Sequence, residues 1–229
     1  MRIASIQGSS LLDFPKSLSC ILFTQGCQYD CFYCHNRPLI APVGSREEVD
    51  ALSFLKRRIG LLDGVVITGG EPTIHRSLGR FIEAVKAMGF RVKLDTNGSN
   101  PSCLAALLKE GLLDYVALDV KATEAQYRLI CGPRARWETV MESLEHLGAS
   151  SCAFEVRTTV YPTMKGEDLE EIADNIGKVR LWRLNHYRIP DQYKDEDRNL
   201  VFSPVMDRSS IEAWIERNRD RIQALDVTT

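Results

Sequence analysis

"GVVITGGEPTIHRSLGRFIEAVKAMG", residues 64–89, contains one whole repeating unit of the fold. GVVIT (64–68) is short, apolar and β-branched, the composition of a strand. A turn of two glycines, a glutamate and a proline follows. SLGRFIEAVKAMG (77–89) then reads as an amphipathic helix that stops on glycine, which accepts the backbone conformation of a helix C-terminus without strain. Strand, glycine turn and helix together make one βα unit.

The same alternation runs outward in both directions. Strands are expected at LSCILFT (18–24), RVKLDT (91–96), DYVALDV (114–120), AFEVRTTV (153–160) and VRLWRLNHY (179–187). Amphipathic helices are expected at 46–60, 101–111, 136–148 and 166–177, with a last helix at 207–225. Repeated strand and helix means a parallel sheet covered by helices. Successive strands start about 32 residues apart, the usual size of a βα unit. Eight such units need about 256 residues, so a full barrel does not fit in 229. Six units do, as an open partial barrel or a doubly wound sheet. In either case functional groups belong at the C-terminal ends of the strands, where the βα loops meet.

Length and composition narrow the function further. The chain reads as one domain, with a core over about 18–190 and a C-terminal helix at about 207–226. It carries 29 basic and 31 acidic side chains and 44% hydrophobic residues, a balanced globular composition. No basic stripe interleaved with aromatics suggests a nucleic-acid surface. No apolar run approaches membrane-spanning length, and MRIASIQGSSLLDFPKSL (1–18) lacks a signal-peptide core, so the expected compartment is the cytoplasm. Seven cysteines, an odd number, argue against a disulfide framework. Cys20, Cys103, Cys131 and Cys152 are isolated and read as small buried residues.

The other three are clustered. FTQGCQYDCFYCHN (23–36) follows the first strand and places Cys27, Cys31 and Cys34 within eight positions. A structural zinc site would need a fourth ligand, and His35 is poorly placed to supply it. A redox pair of Cys31 and Cys34 leaves Cys27 unexplained. Three thiolates suit a 4Fe-4S cluster with one iron left open to another ligand. Other motifs fall at neighbouring strand ends: TGGE (68–71), DTNG (95–98) and DVK (119–121). TGGE and DTNG each have a plain reading as a turn, in which glycine, Asp and Asn serve backbone geometry, and the carboxylates of Asp95 and Asp119, two at one rim, have a plain reading as solvated. Arg157 lies in an otherwise apolar strand and needs an anion there. His186, near the end of the sixth strand, has a structural reading at least as good as a functional one.

C-x3-C-x2-C after a first strand with TGGEP after a second resembles the radical S-adenosylmethionine (SAM) superfamily. The resemblance runs through SSLLDFPKSLSCILFTQGC, CHN, TGGEPT, DTNG, LDVK and RTTVYP, and is strongest to the activating enzymes of glycyl-radical enzymes. FTQGC, CHN and RTTV point to the activating proteins of anaerobic ribonucleoside-triphosphate reductase. Lys16 departs from the pattern, since glycine often follows the D-[FY]-P triplet.

The resemblance implies a partial (β/α)6 TIM-like barrel. It implies a cluster on Cys27, Cys31 and Cys34 whose open iron is chelated by SAM, and a 5′-deoxyadenosyl radical formed by reductive cleavage. Tyr33 would border the adenine, Gly69 and Gly70 would admit the ligand, and Glu71 would face its ammonium. Asp95, Thr96 and Asp119 would hold a monovalent cation near the SAM carboxylate, with Lys121 beside it and Arg157 approaching that carboxylate. His186 would line the adenosyl side. The partners implied are a glycyl-radical enzyme as protein substrate and a flavodoxin- or ferredoxin-type electron donor. A chain of six units with no added domain has little of its own to cover the site, which suits a macromolecular substrate. A small-molecule radical SAM enzyme resembling carboxydeazaguanine synthase, and a metal-binding module without catalysis, are the competing readings.

Overall fold

The computed structural model describes residues 1–41, 50–219 and the backbone of 225–228. Eight strands form one sheet in chain order: β1 Ile3–Ser10, β2 Ser19–Thr24, β3 Gly64–Gly69, β4 Arg91–Thr96, β5 Tyr115–Asp119, β6 Ala153–Val160, β7 Trp182–His186 and β8 Leu225–Thr228. β1 pairs with β2 antiparallel, and every later pairing is parallel. The helices are α1 Ala51–Lys56, α2 Leu78–Ala87, α3 Pro101–Lys109, α4 Tyr127–Cys131, α5 Trp137–Gly148, α6 Gly166–Ile176, α7 Arg198–Val201 and α8 Arg208–Arg217.

The six strands expected from sequence are β2 to β7, and the architecture is an open, partial (β/α)6 barrel. Two strands were not foreseen. β1 forms a hairpin with β2, and its connection passes through Lys16 at φ 58°, a left-handed conformation that glycine would hold at less strain. β8 corrects the expectation of a helix to Leu225: α8 ends at Arg217, and Leu225 opposes Trp182 in a parallel pairing. Parts of two expected helices, 46–49 and 220–224, lie outside the described residues. Among those described, no helix is long and apolar enough to cross a membrane.

The helices form for local reasons and are held by burial. In α2, Leu78, Ile82 and Val85 recur on one face and are buried, each such side chain contributing roughly 1.5–3 kcal/mol relative to exposure. Pro101 opens α3, where the Asn100 side chain accepts the Cys103 N–H.

Alternation along the strands separates two environments. Val92, Leu94, Val116, Leu118, Val156, Trp182 and Leu184 face the helices and join the main core. The alternate positions face the barrel interior. Phe14, Ile21 and Val66 plug its base, and the buried Lys93 and Glu155 form a charged layer above them with the half-buried Arg183. Asp95, Asp119 and Arg157 lie at the top.

Candidate functional site

The site opens at the C-terminal ends of β2 to β6, where a cavity of about 270 Å³ is lined by Cys27, Cys31 and Cys34 together with Tyr33, Gly69, Gly70, Glu71, Asp95, Thr96, Asp119, Lys121 and Arg157. Twelve of the thirteen sequence candidates therefore meet in one place. His186 is the exception. β7 alternates, with Arg183 bonded to Glu155 inside the barrel and Asn185 two residues on lining the adjoining recess. His186 is one position out of phase and does not line the cavity. Asn36, Asn97, Thr159 and Asn185 do line it or its recess, and sequence reasoning passed over them.

The cysteine loop is fastened on two sides. On one, the Gly70 N–H donates to the Thr24 carbonyl at 3.0 Å and the Glu71 N–H to the Gly26 carbonyl at 2.8 Å. The backbones approach so closely that a Cβ on Gly70 would lie 2.0 Å from the Gly26 oxygen, and Gly69 adopts φ 113°. These glycines thus serve backbone packing against the loop. On the other side, the Asp30 N–H donates to the Cys131 carbonyl at 2.9 Å, which ties the loop to the end of α4. Arg37 braces the loop from within, donating to Asp30 and to the Cys31 carbonyl, both at 2.9 Å.

Glu71 is buried, at 1% exposure. Its Oε1 accepts from the Thr73 N–H and hydroxyl and from the Thr96 hydroxyl, and its Oε2 accepts from the Asn97 N–H at 2.8 Å. Burial pushes its carboxyl up and the hydrogen bonds only partly offset this. Oε1 is saturated, whereas Oε2 has a lone pair left for a donor from a ligand.

Arg157 spans two carboxylates, donating from Nε to Asp119 at 2.9 Å and from Nη1 to Asp95 at 3.1 Å. Lys93 holds the other Asp95 oxygen at 2.7 Å and Lys121 the other Asp119 oxygen at 3.0 Å. Burial pushes the Asp119 carboxyl up, but Arg157 and Lys121 outweigh it and hold it at about 2. Asp95 is lowered in the same way, by Arg157 and Lys93 against burial.

The residues expected to hold a cation are bonded to protein groups in this structure. The Thr96 hydroxyl is committed to Glu71 and accepts the Gly98 N–H. The charge that a monovalent cation would neutralise is already met by Arg157, Lys93 and Lys121.

The three cysteines do fit a 4Fe-4S cluster. Among the described residues no three Cys, His, Asp or Glu side chains converge on a point that would hold a single metal ion. A cubane asks for something else, one thiolate at each of three corners around a space, and here three thiols line one cavity. Burial and the Glu71 charge push the Cys27 thiol up to about 12, and burial raises Cys34. Cys31 is lowered by the adjoining Cys131 thiol, against burial. Iron would displace these protons on binding. Beside them Tyr33 stacks on Tyr161, centroids 5.8 Å apart, and its buried hydroxyl has no partner.

Comparison with known proteins agrees with this geometry. The model of the radical SAM superfamily matches residues 21–176. A Methanocaldococcus jannaschii protein, provisionally named a glycyl-radical enzyme activating enzyme, is 31% identical over 208 residues, covering 86% of this chain and 85% of its own. The pyruvate formate-lyase-activating enzyme of Clostridium pasteurianum is 27% identical over 237 residues, covering 97% and 95%. Among solved structures, Streptococcus suis SuiB bound to S-adenosylmethionine superposes with a TM-score of 0.62 at 15% identity, covering 91% of this chain and 52% of that one. That likeness is one of fold.

Proposed function

This chain belongs to the radical SAM superfamily, and from that premise we propose that it activates a glycyl-radical enzyme by taking a hydrogen atom from one glycine Cα of that partner. The superfamily's cofactors, a 4Fe-4S cluster and SAM, come with membership, and the chain is an enzyme. The observation that carries the finer reading is that the cysteine loop, the GGE turn and the Arg157 bridge share one cavity. In support, two relatives named as activating enzymes are matched over 85% and 95% of their own lengths.

A 4Fe-4S cluster held there would supply the one electron that reductive cleavage of SAM to methionine and a 5′-deoxyadenosyl radical requires. The chain's own residues hold the reactants. Cys27, Cys31 and Cys34, which line the cavity, would ligate the cluster through three thiolates, leaving one iron open to SAM. Glu71 Oε2 receives the ammonium, and Arg157 and Lys121 offer positive charge to the carboxylate. Tyr33 packs along the adenine. The radical then takes hydrogen from glycine, whose lack of a side chain lets its Cα enter a narrow cleft. 5′-Deoxyadenosine leaves, and the unpaired electron remains on the partner.

FTQGC, CHN and RTTV favour anaerobic ribonucleotide reductase as the partner. A flavodoxin or ferredoxin is the electron donor in this reading, and seven free cysteines suit the reducing cytoplasm. The test is anaerobic incubation with SAM, dithionite and purified reductase or pyruvate formate-lyase, read by electron paramagnetic resonance (EPR). A protein radical with the reductase supports the full proposal, and one with the lyase alone replaces the partner. Deoxyadenosine without any protein radical, across the glycyl-radical enzymes, contradicts the activase reading.

A further inference from the structure

Asn97 touches both halves of the site. It is buried, its backbone N–H donates to Glu71 Oε2 at 2.8 Å, and its side-chain Nδ2 donates to Cys27 Sγ at 3.8 Å. The orientation of the amide follows from its other neighbour. Oδ1 accepts the Ser99 N–H at 3.0 Å, and a backbone N–H can only donate, so the oxygen must face Ser99 and the NH2 group must face the sulfur.

We propose that Asn97 is a positioning residue that raises the reduction potential of the cluster by donating a hydrogen bond to the thiolate of Cys27. One-electron reduction adds negative charge to the cluster and its sulfurs. A fixed donor stabilises the reduced form more than the oxidised one, most strongly where water is excluded. Hydrogen bonds to sulfur are among the recognised determinants of cluster potential. Backbone donors inside the loop come with the cysteine motif: Cys27 is approached by the Tyr29 N–H and Cys34 by the Asn36 N–H. Asn97 is different in kind. It belongs to the loop after β4, so the potential becomes coupled to the same turn that holds Glu71. The consequence is easier electron entry from a weak biological reductant. The proposal depends on the cluster and not on the identity of any protein substrate.

The test is a redox titration of reconstituted protein without SAM, monitored by EPR, comparing wild type with Asn97→Ala and Asn97→Ser. Serine keeps an oxygen for the Ser99 N–H but is too short to reach Cys27, which separates loss of the donor from loss of the turn. At a fixed potential, both variants should show about a tenfold lower ratio of reduced to oxidised cluster, equivalent to about 59 mV for one electron. A second measurement needs no variant. Side-chain-¹⁵N asparagine in wild-type protein should give a nitrogen coupling in the pulsed EPR of the reduced cluster. Unchanged potentials in cluster-replete variants, or no such coupling in wild type, would overturn the proposal. A purely structural role for Asn97 would alter folding or cluster yield and leave the potential of the assembled cluster where it was.

Discussion

Asp119 shows how strongly single residues are committed at this site. Its carboxyl, held at about 2 by Arg157 and Lys121 against burial, lies below an unfolded value near 3.9. A depressed carboxyl contributes stability that is fully present above the unfolded value and is lost as pH falls through the folded one. Cluster-free protein should therefore lose roughly 2 kcal/mol between pH about 4 and about 2. Urea titrations across that range check it, and Asp119→Asn should flatten the acid limb. The paired glycines make a second demand. Because a Cβ on Gly70 would lie 2.0 Å from the Gly26 oxygen, Gly70→Ala should destabilise by roughly 1–3 kcal/mol and lower cluster occupancy, measured by denaturation and iron content. Residue roles were unevenly legible in sequence. The cysteines, Glu71 and Arg157 announced themselves by spacing or by charge in an apolar strand. Asn97 hid inside a motif that reads equally well as a turn, and its contact with Cys27 exists only in three dimensions. His186 lies outside the lining because one step along a strand reverses the face.

Elements were legible where their signal was strong. β4 and β6 have the boundaries expected, because β-branched and apolar residues alternate through them and Asn97 and Pro162 follow closely. β1 was missed: its alternation runs through Ser, Gln and Gly, which carry little strand preference. β8 was missed because Leu225 continues the helical pattern of the preceding segment, and only pairing with β7 defines it as strand. The cysteine loop depends most on neighbouring elements. Arg37 ties the end of the loop back to its middle through Asp30 and the Cys31 carbonyl, and α4 holds Asp30 from outside. Arg37→Ala should leave the sheet intact, since Arg37 pairs with no strand, while the loop loosens. The cluster should then be lost to a chelator several-fold faster than in wild type, followed by its visible absorbance, with far-ultraviolet circular dichroism unchanged. Equal rates would show that the loop holds the cluster without this brace.

At the scale of the whole molecule, the barrel separates stability from chemistry. Apolar strand positions face the helices and make the core, while the alternate positions build a charged interior that ends at the site. Such an interior is affordable only because its charges are paired: removing one partner leaves a buried charge uncompensated. The open rim brings the cysteine loop, the GGE turn and the Arg157 bridge into one cavity, and the proposed reaction needs all three. Its central claim is that a hydrogen atom passes from a glycine Cα of a protein partner to the deoxyadenosyl group. The most direct measurement is mass spectrometry of 5′-deoxyadenosine formed with a partner whose glycines carry deuterium at Cα. One deuterium per molecule of product, absent when Cys31→Ala protein is used, is the predicted result. Unlabelled deoxyadenosine formed alongside an activated partner would contradict it.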